Sequence, residues 1–288
     1  MKLATFSIGG ERRIGRVDLN EMCVYPFDTT SLDAERGVTT LIGMAKLPRE
    51  MQAVPLARVT LEAPIPRPAR NIFCVGKNYH AHAMEFAKSG FDSSAASGDV
   101  PAHPIIFSKV PECVGGPDAP VVIDKAVSEA IDYEAELAVI IGTGGRGITK
   151  ANAMKHVWGY TIVNDVTARD LQGRHNQWLI GKSQDTFCPM GPWVVTADDV
   201  DLSTMSVRCR VNGELRQDAP VTDLIFDIPT LISTLSAGLT LNPGDIIATG
   251  TPVGVGIGFN PPKYLVPGDV VRVEIDQIGY LENPVVAR

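Results

Sequence analysis

The chain has 288 residues, 44% hydrophobic and 20% charged, enough to bury a full core as one large domain or one large plus one small. A formal net charge of −7 argues against nucleic acid or an anionic membrane as the main partner, because both reward basic surfaces. The five cysteines (Cys23, Cys74, Cys113, Cys188, Cys209) are scattered, odd in number and form no Cys-x-x-Cys, which fits reduced thiols and not a disulfide frame or zinc site. The first residues lack a long apolar segment and no run can span a bilayer, so a cytoplasmic protein is expected.

Lys2–Ile8 and residues 13–19 flank Gly9-Gly10 and read as a hairpin. A short helix is expected over residues 39–47 and a strand over 57–62. Ala63-Pro-Ile-Pro-Arg-Pro68 follows, a proline-rich stretch that suits a linker. This divides the chain into a small N-terminal β-rich domain, residues 1–66, and a catalytic domain, residues 67–288. Beyond the linker, apolar runs between turn signals predict strands over residues 71–75, 105–108, 137–141, 160–163, 193–196, 207–211, 245–249 and 270–275. Helices are expected over 79–89, 150–157 and 228–235. The small, polar residues 90–103 read as a mobile loop. The fold class is therefore mainly β with minor α, without a regular βαβ series.

Gly142-Thr-Gly-Gly-Arg-Gly147 formally matches a dinucleotide-binding fingerprint. A pyrophosphate site needs its helix to open inside the glycine loop, whereas the helical pattern here begins after Thr149, in the position of an ordinary N-cap. A glycine-rich turn is the better reading.

The acids are more informative. In Asp132-Tyr-Glu134-Ala-Glu136-Leu137 the carboxylates are two residues apart, and on a strand they share one face. Crowded carboxylates resist ionisation, and a divalent cation between them would reverse that penalty. Asp165, 29 residues beyond Glu136 at the end of another apolar run, is a third candidate ligand. On the residues alone, this reading stands level with that of an acidic solvent face on a half-buried strand.

Five motifs occur in order: Cys74-Val-Gly-Lys-Asn-Tyr-His-Ala-His82-Ala-Met-Glu85; Asp132-Tyr-Glu134-Ala-Glu136; Asn164-Asp165-Val-Thr-Ala-Arg169-Asp-Leu-Gln172; Gly181-Lys182-Ser-Gln-Asp; and Gly250-Thr251-Pro-Val-Gly254-Val-Gly256. Together they make the chain resemble the fumarylacetoacetate hydrolase family, in its acylpyruvate hydrolase-like branch, over roughly residues 70–285. The resemblance implies a mixed β-sandwich roll, commonly homodimeric, with a Mg²⁺ or Mn²⁺ site. By motif, Glu134, Glu136 and Asp165 are the implied metal ligands and His82 with Glu85 the catalytic pair. Lys182, Gln172 and Thr251 are implied in the substrate pocket, with Lys182 in a catalytic role, and Arg169 and Lys109 are weaker candidates. Asp132 matches no ligand position and reads as a supporting or solvent-facing acid. Animal fumarylacetoacetases carry a further metal-binding aspartate where this chain has Asn78 to His82, so fumarylacetoacetate itself is a poor fit as substrate.

Three carboxylates without sulfur or imidazole form a hard oxygen site, suited to Mg²⁺ or Mn²⁺ with Ca²⁺ as a substitute. His82 and Glu85, at i and i+3 on the expected helix, share a face, so Glu85 can orient His82 as a general base. The leading expectation is metal-dependent hydrolysis of a C–C bond in an acylpyruvate or β-diketone acid. The alternatives are decarboxylation of oxaloacetate or a related 2-oxo dicarboxylate and isomerisation of a hydroxymuconate-type diacid. From another class comes a catalytically silent binding protein with a structural Ca²⁺ site. The expected partner is a small anionic oxo acid, with no nucleic acid and no membrane.

Overall fold

The computed structural model describes residues 1–88 and 100–288, so most of the loop expected over 90–103 lies outside the described residues. Among the described residues, no helix is long and apolar enough to cross a membrane. The chain is mainly β, built around a 12-stranded sheet and a five-stranded one. At the centre of the large sheet, Ala135–Ile141 lies antiparallel between Val157–Asn164 and Ile246–Ala248. All seven residues of Ala135–Ile141 are buried, which is why this run is apolar on both faces beyond Glu136.

Alternation along that strand separates two cores. Leu137, Val139 and Ile141 join Tyr160 and Ile162, and the same cluster contains Val207, Val271 and Leu281 of the five-stranded sheet. Ala138 and Ile140 point the other way, toward Ile72, Cys74 and Val163. Glu134 and Glu136 keep the parity of Ala138, so they emerge at the end of this second face.

The N-terminal hairpin is Lys2–Ile8 with Glu11–Asp18, in the expected register across Gly9-Gly10. Lys2 and Leu3 also pair with Val195 and Val194, which joins this segment to the large sheet. The helix expected over 39–47 is replaced by a helix at Ser31–Glu35 and a 3₁₀ turn at Gly37–Leu41. Thr30 caps the helix through a capping box with Asp33. The strand expected over 57–62 is reduced to Thr60–Leu61 after a 3₁₀ turn at Leu56–Arg58. The glycine run at 142–147 forms a turn pinned to Leu241, and the next helix, Lys150–Ala153, starts outside it. Thr149 holds the N-cap position, but its side chain makes no capping bond.

Three features place the site on this frame. Asn78 donates to Thr249 O at 2.7 Å and accepts from Phe226 N at 2.8 Å, fixing the start of the His80–Lys88 helix beside the Thr249 turn. The short helices Arg169–Arg174 and Leu179–Lys182 pack on each other, so close that a Cβ at Gly181 would lie 2.7 Å from Gln172 N. Gln217, from Glu214–Pro220 of the small sheet, accepts from Ala135 N at 3.1 Å and donates to Thr251 Oγ1 and Pro252 O at 2.8 and 2.7 Å. Gln217→Ala should strand a buried N–H and a buried carbonyl, each costing about 1–3 kcal/mol. We expect urea denaturation to report a loss of about 2–6 kcal/mol in total, and a variant as stable as wild type would remove Gln217 from this role.

Candidate active site

Glu134, Glu136 and Asp165 each offer a carboxylate oxygen within 4.8 Å of the others, and all three are buried. Their convergence follows from the sheet register. Glu136 is opposite Val163, and Asp165 N donates to Glu134 O at 2.8 Å, so the two strand ends deliver their acids to one spot. Asp132, expected on the same face, departs. The strand breaks at Tyr133 and Glu134, and Asp132 turns to accept from Gly256 N and Ile257 N at 2.6 and 3.0 Å. It is fully buried, which rules out the solvent-facing reading.

Cations surround the triad. Lys182 Nζ lies 2.8 Å from both Glu134 Oε2 and Asp165 Oδ2. Lys109 Nζ donates to Asp165 Oδ1 at 2.7 Å, to Val166 O at 3.0 Å and to Lys182 O. Arg169 joins Asp132 at 2.8 Å to Glu134 at 2.6 Å and reaches Gln172 Oε1 at 3.1 Å.

The three acids feel this unequally. Burial pushes the Glu134 carboxyl up, but Lys182, Arg169 and His82 outweigh it and hold the group at about 2. Burial, then Asp165 and Glu134, push Glu136 well above the ordinary carboxylate range, against Lys182 and the Gly250 N–H. Among the described residues, Glu136 has no ion pair and accepts only from Gly250 N, at 2.9 Å. Gly250 achieves this at φ +105°, where a Cβ would sit 2.7 Å from that of Asn78. A buried carboxylate with two anionic neighbours and no cation of its own is what a hard divalent ion completes, so the donor set fits such an ion.

Of the three acids, Glu134 lines a pocket, together with Arg169, Gln172, Lys182, Thr251 and His82 on its polar side. Of the residues expected in a pocket, Gln172, Thr251, Arg169 and Lys182 do line it. Lys109 does not; it lies behind Asp165, fully buried, and acts on that carboxylate. His82 Nδ1 meets Glu85 Oε2 at 3.2 Å, with side-chain exposures of 5% and 13%, so His82 is buried and Glu85 is only partly exposed.

Two lining residues escaped the sequence reading. Trp178 packs edge-on to Phe107 at 5.1 Å and also walls the cavity, so near Gly76 that a Cβ there would be 2.6 Å from its ring. Lys77 lines the cavity at φ 54°, a conformation unusual for a non-glycine residue. The signal for both was the glycine before Lys77, whose missing side chain leaves room for the indole.

Because folding raises the Glu136 pKa, the ionised form is the one folding disfavours, and its destabilisation grows as pH rises through the carboxylate range. Glu136→Gln in EDTA at neutral pH should therefore raise the melting temperature by about 2–4 °C, roughly 1 kcal/mol for a chain of this size. The same change should reduce the stabilisation gained from Mn²⁺. A lowered melting temperature in EDTA, or an undiminished Mn²⁺ effect, would contradict this account.

Residues 71–286 match the model of the fumarylacetoacetate (FAA) hydrolase C-terminal family. The chain is 52% identical over 231 residues to the oxaloacetate tautomerase YisK of Bacillus subtilis, covering 80% of this chain and 74% of that protein. It is 42% identical over 276 residues to the human mitochondrial oxaloacetate tautomerase FAHD2A, covering 94% and 84%. A solved fumarylacetoacetate hydrolase from Exiguobacterium antarcticum superimposes with a TM-score of 0.83 at 40% identity, over all of both chains. With the family motifs meeting in one buried cavity and this likeness spanning most of the chain, the protein belongs to the fumarylacetoacetate hydrolase family.

Proposed function

We propose that the protein is a tautomerase of a 2-oxo dicarboxylate of the oxaloacetate type, moving one proton between carbon and oxygen without breaking a C–C bond. One observation carries this reading: His82, paired with Glu85, lines the same pocket as Lys182, Arg169 and Gln172. The likeness to two oxaloacetate tautomerases supports it. It replaces C–C hydrolysis as the leading reading and keeps the 2-oxo dicarboxylate substrate of the earlier alternative.

Arg169 and Gln172 supply donors for a substrate carboxylate, with Thr251 beside them. The Lys182 ammonium stands where negative charge gathers on the 2-oxo oxygen. His82, engaged by Glu85 through Nδ1, takes the proton from the carbon next to the carbonyl through Nε2. The C–H electron pair becomes the C=C bond, and the imidazolium returns a proton to the oxygen, leaving the atom count unchanged. Glu134, Glu136 and Asp165 would hold Mg²⁺ or Mn²⁺, with Ca²⁺ as a substitute, and the bound ion would supply Lewis acidity at the oxo-acid end.

Hydrolysis of an acylpyruvate remains the second reading, favoured by the 40% identity to a fumarylacetoacetate hydrolase. Here His82 would take its proton from water. Product masses separate the readings: tautomerisation leaves the mass unchanged, decarboxylation removes CO₂, and hydrolysis yields two fragments. With Mn²⁺ present, loss of the oxaloacetate enol absorbance should be fast in the wild type and at least ~10²-fold slower in His82→Ala, the low end for a general base. Undiminished enol loss in that variant, or fragments from the wild type, would overturn the tautomerase proposal.

A further inference from the structure

We propose that Gly258 is a positioning residue for the His82–Glu85 pair, an inference that rests on the proton-transfer reading of that pair. The Glu85 carboxylate accepts from Gly254 N at 3.1 and 3.2 Å and lies directly against Gly258. The three atoms nearest a Cβ built at Gly258 all belong to Glu85: it overlaps Oε1 and Cδ and comes within 2.6 Å of Cγ. Gly258 has no left-handed φ, so alanine meets no backbone penalty there, and the nearest obstacle is Glu85. That carboxylate is already held by the Gly254 N–H on one side and by His82 Nδ1 at 3.2 Å on the other. An added methyl group must therefore swing it off the imidazole.

The seat itself is fixed from the opposite side. Gly256 N and Ile257 N donate to Asp132 at 2.6 and 3.0 Å, and Arg169 connects Asp132 to Glu134. Gly254, at φ +104°, packs so tightly on the Arg216 carbonyl that no Cβ fits. The loop thus contacts the acid network through Asp132 and the proton-moving pair through Glu85, which meets it where only hydrogen can be accommodated. An i,i+3 contact on a helix is weak by itself, so the loop is what gives Glu85 a single position.

The test compares Gly258→Ala, Glu85→Asp and the double variant, all in the full chain with Mn²⁺. Gly258→Ala should lower kcat for oxaloacetate enol loss at least ~10-fold, part of the general-base contribution, with KM changed less than about twofold. Amide exchange across residues 80–88 should also accelerate. In the Glu85→Asp background, whose shorter side chain leaves room, the alanine should change kcat and exchange by less than about twofold, a coupling that a general loop defect would not produce. Wild-type kcat and exchange in Gly258→Ala, or the same fold loss in both backgrounds, would overturn the proposal. If Gly258→Ala fails to fold while the double variant folds, the obstacle is Glu85 as proposed; failure of both overturns it. If the wild type has no tautomerase activity, the functional reading fails separately, and the exchange comparison still decides the positioning role.

Discussion

Three carboxylates buried within 4.8 Å of one another are the constraint that the rest of this structure answers. Two unit charges 4 Å apart at an effective dielectric of 20 interact by about 4 kcal/mol, so a few such repulsions rival the whole net stability of a domain. The compensation comes from far along the chain. Lys182 arrives from a short helix, Lys109 from Ile105–Lys109 and Arg169 from the helix that follows Asp165. None of these cations is free to serve as an ordinary surface charge. Their burial beside the acids means that much of the polar character of this fold is committed to one place.

The same arrangement separates the roles of the acids. Among the described residues, Glu134 and Asp165 share Lys182, whereas Glu136 receives only a backbone N–H. Glu136 is therefore the carboxylate whose ionisation is left uncompensated, and a hard divalent cation is what would offset it. Support then continues outward through Arg169 and Asp132 to the glycine loop at 254–258, and from that loop to Glu85. The charge cluster and the His82–Glu85 pair are thus tied to one loop by hydrogen bonds, though they come from segments some fifty residues apart in sequence.

What the sequence carried legibly was local. Spacing by two put Glu134 and Glu136 on one face, spacing by three paired His82 with Glu85, and the apolar runs located the central strands. Non-local geometry was not legible. Asp132 obeys the same parity as the glutamates, but a break in the strand at Tyr133 re-aims it, and the attraction of Arg169 and two loop N–H groups decides its direction. Lys109 lies behind Asp165 and not in the cavity because the strand before it pairs edge to edge with Ile72–Gly76, a register no local pattern reveals. Glu214–Pro220 escaped for another reason. It is the last strand of its sheet, largely exposed, and its polar residues hide the alternation that marks a half-buried strand.

The cavity walls bear on which chemistry the pair performs. Beside Lys182, whose Nζ lies 4.8 Å from the Phe107 ring centroid, Phe107, Trp178 and Val75 form an apolar part of the lining that offers few partners to hold an attacking water. Hydrolysis needs such a water placed on the substrate carbonyl, and the enol–keto interconversion does not. On the proposed tautomerase reading, this apolar part of the lining would favour transfers within the bound molecule, because it offers few groups to hold a competing water. On that reading the Lys182 charge would act on the substrate oxygen through a low-dielectric space instead of through solvent. A polar residue introduced at Phe107 or Trp178 would change that balance at its source, by giving water a place to stand.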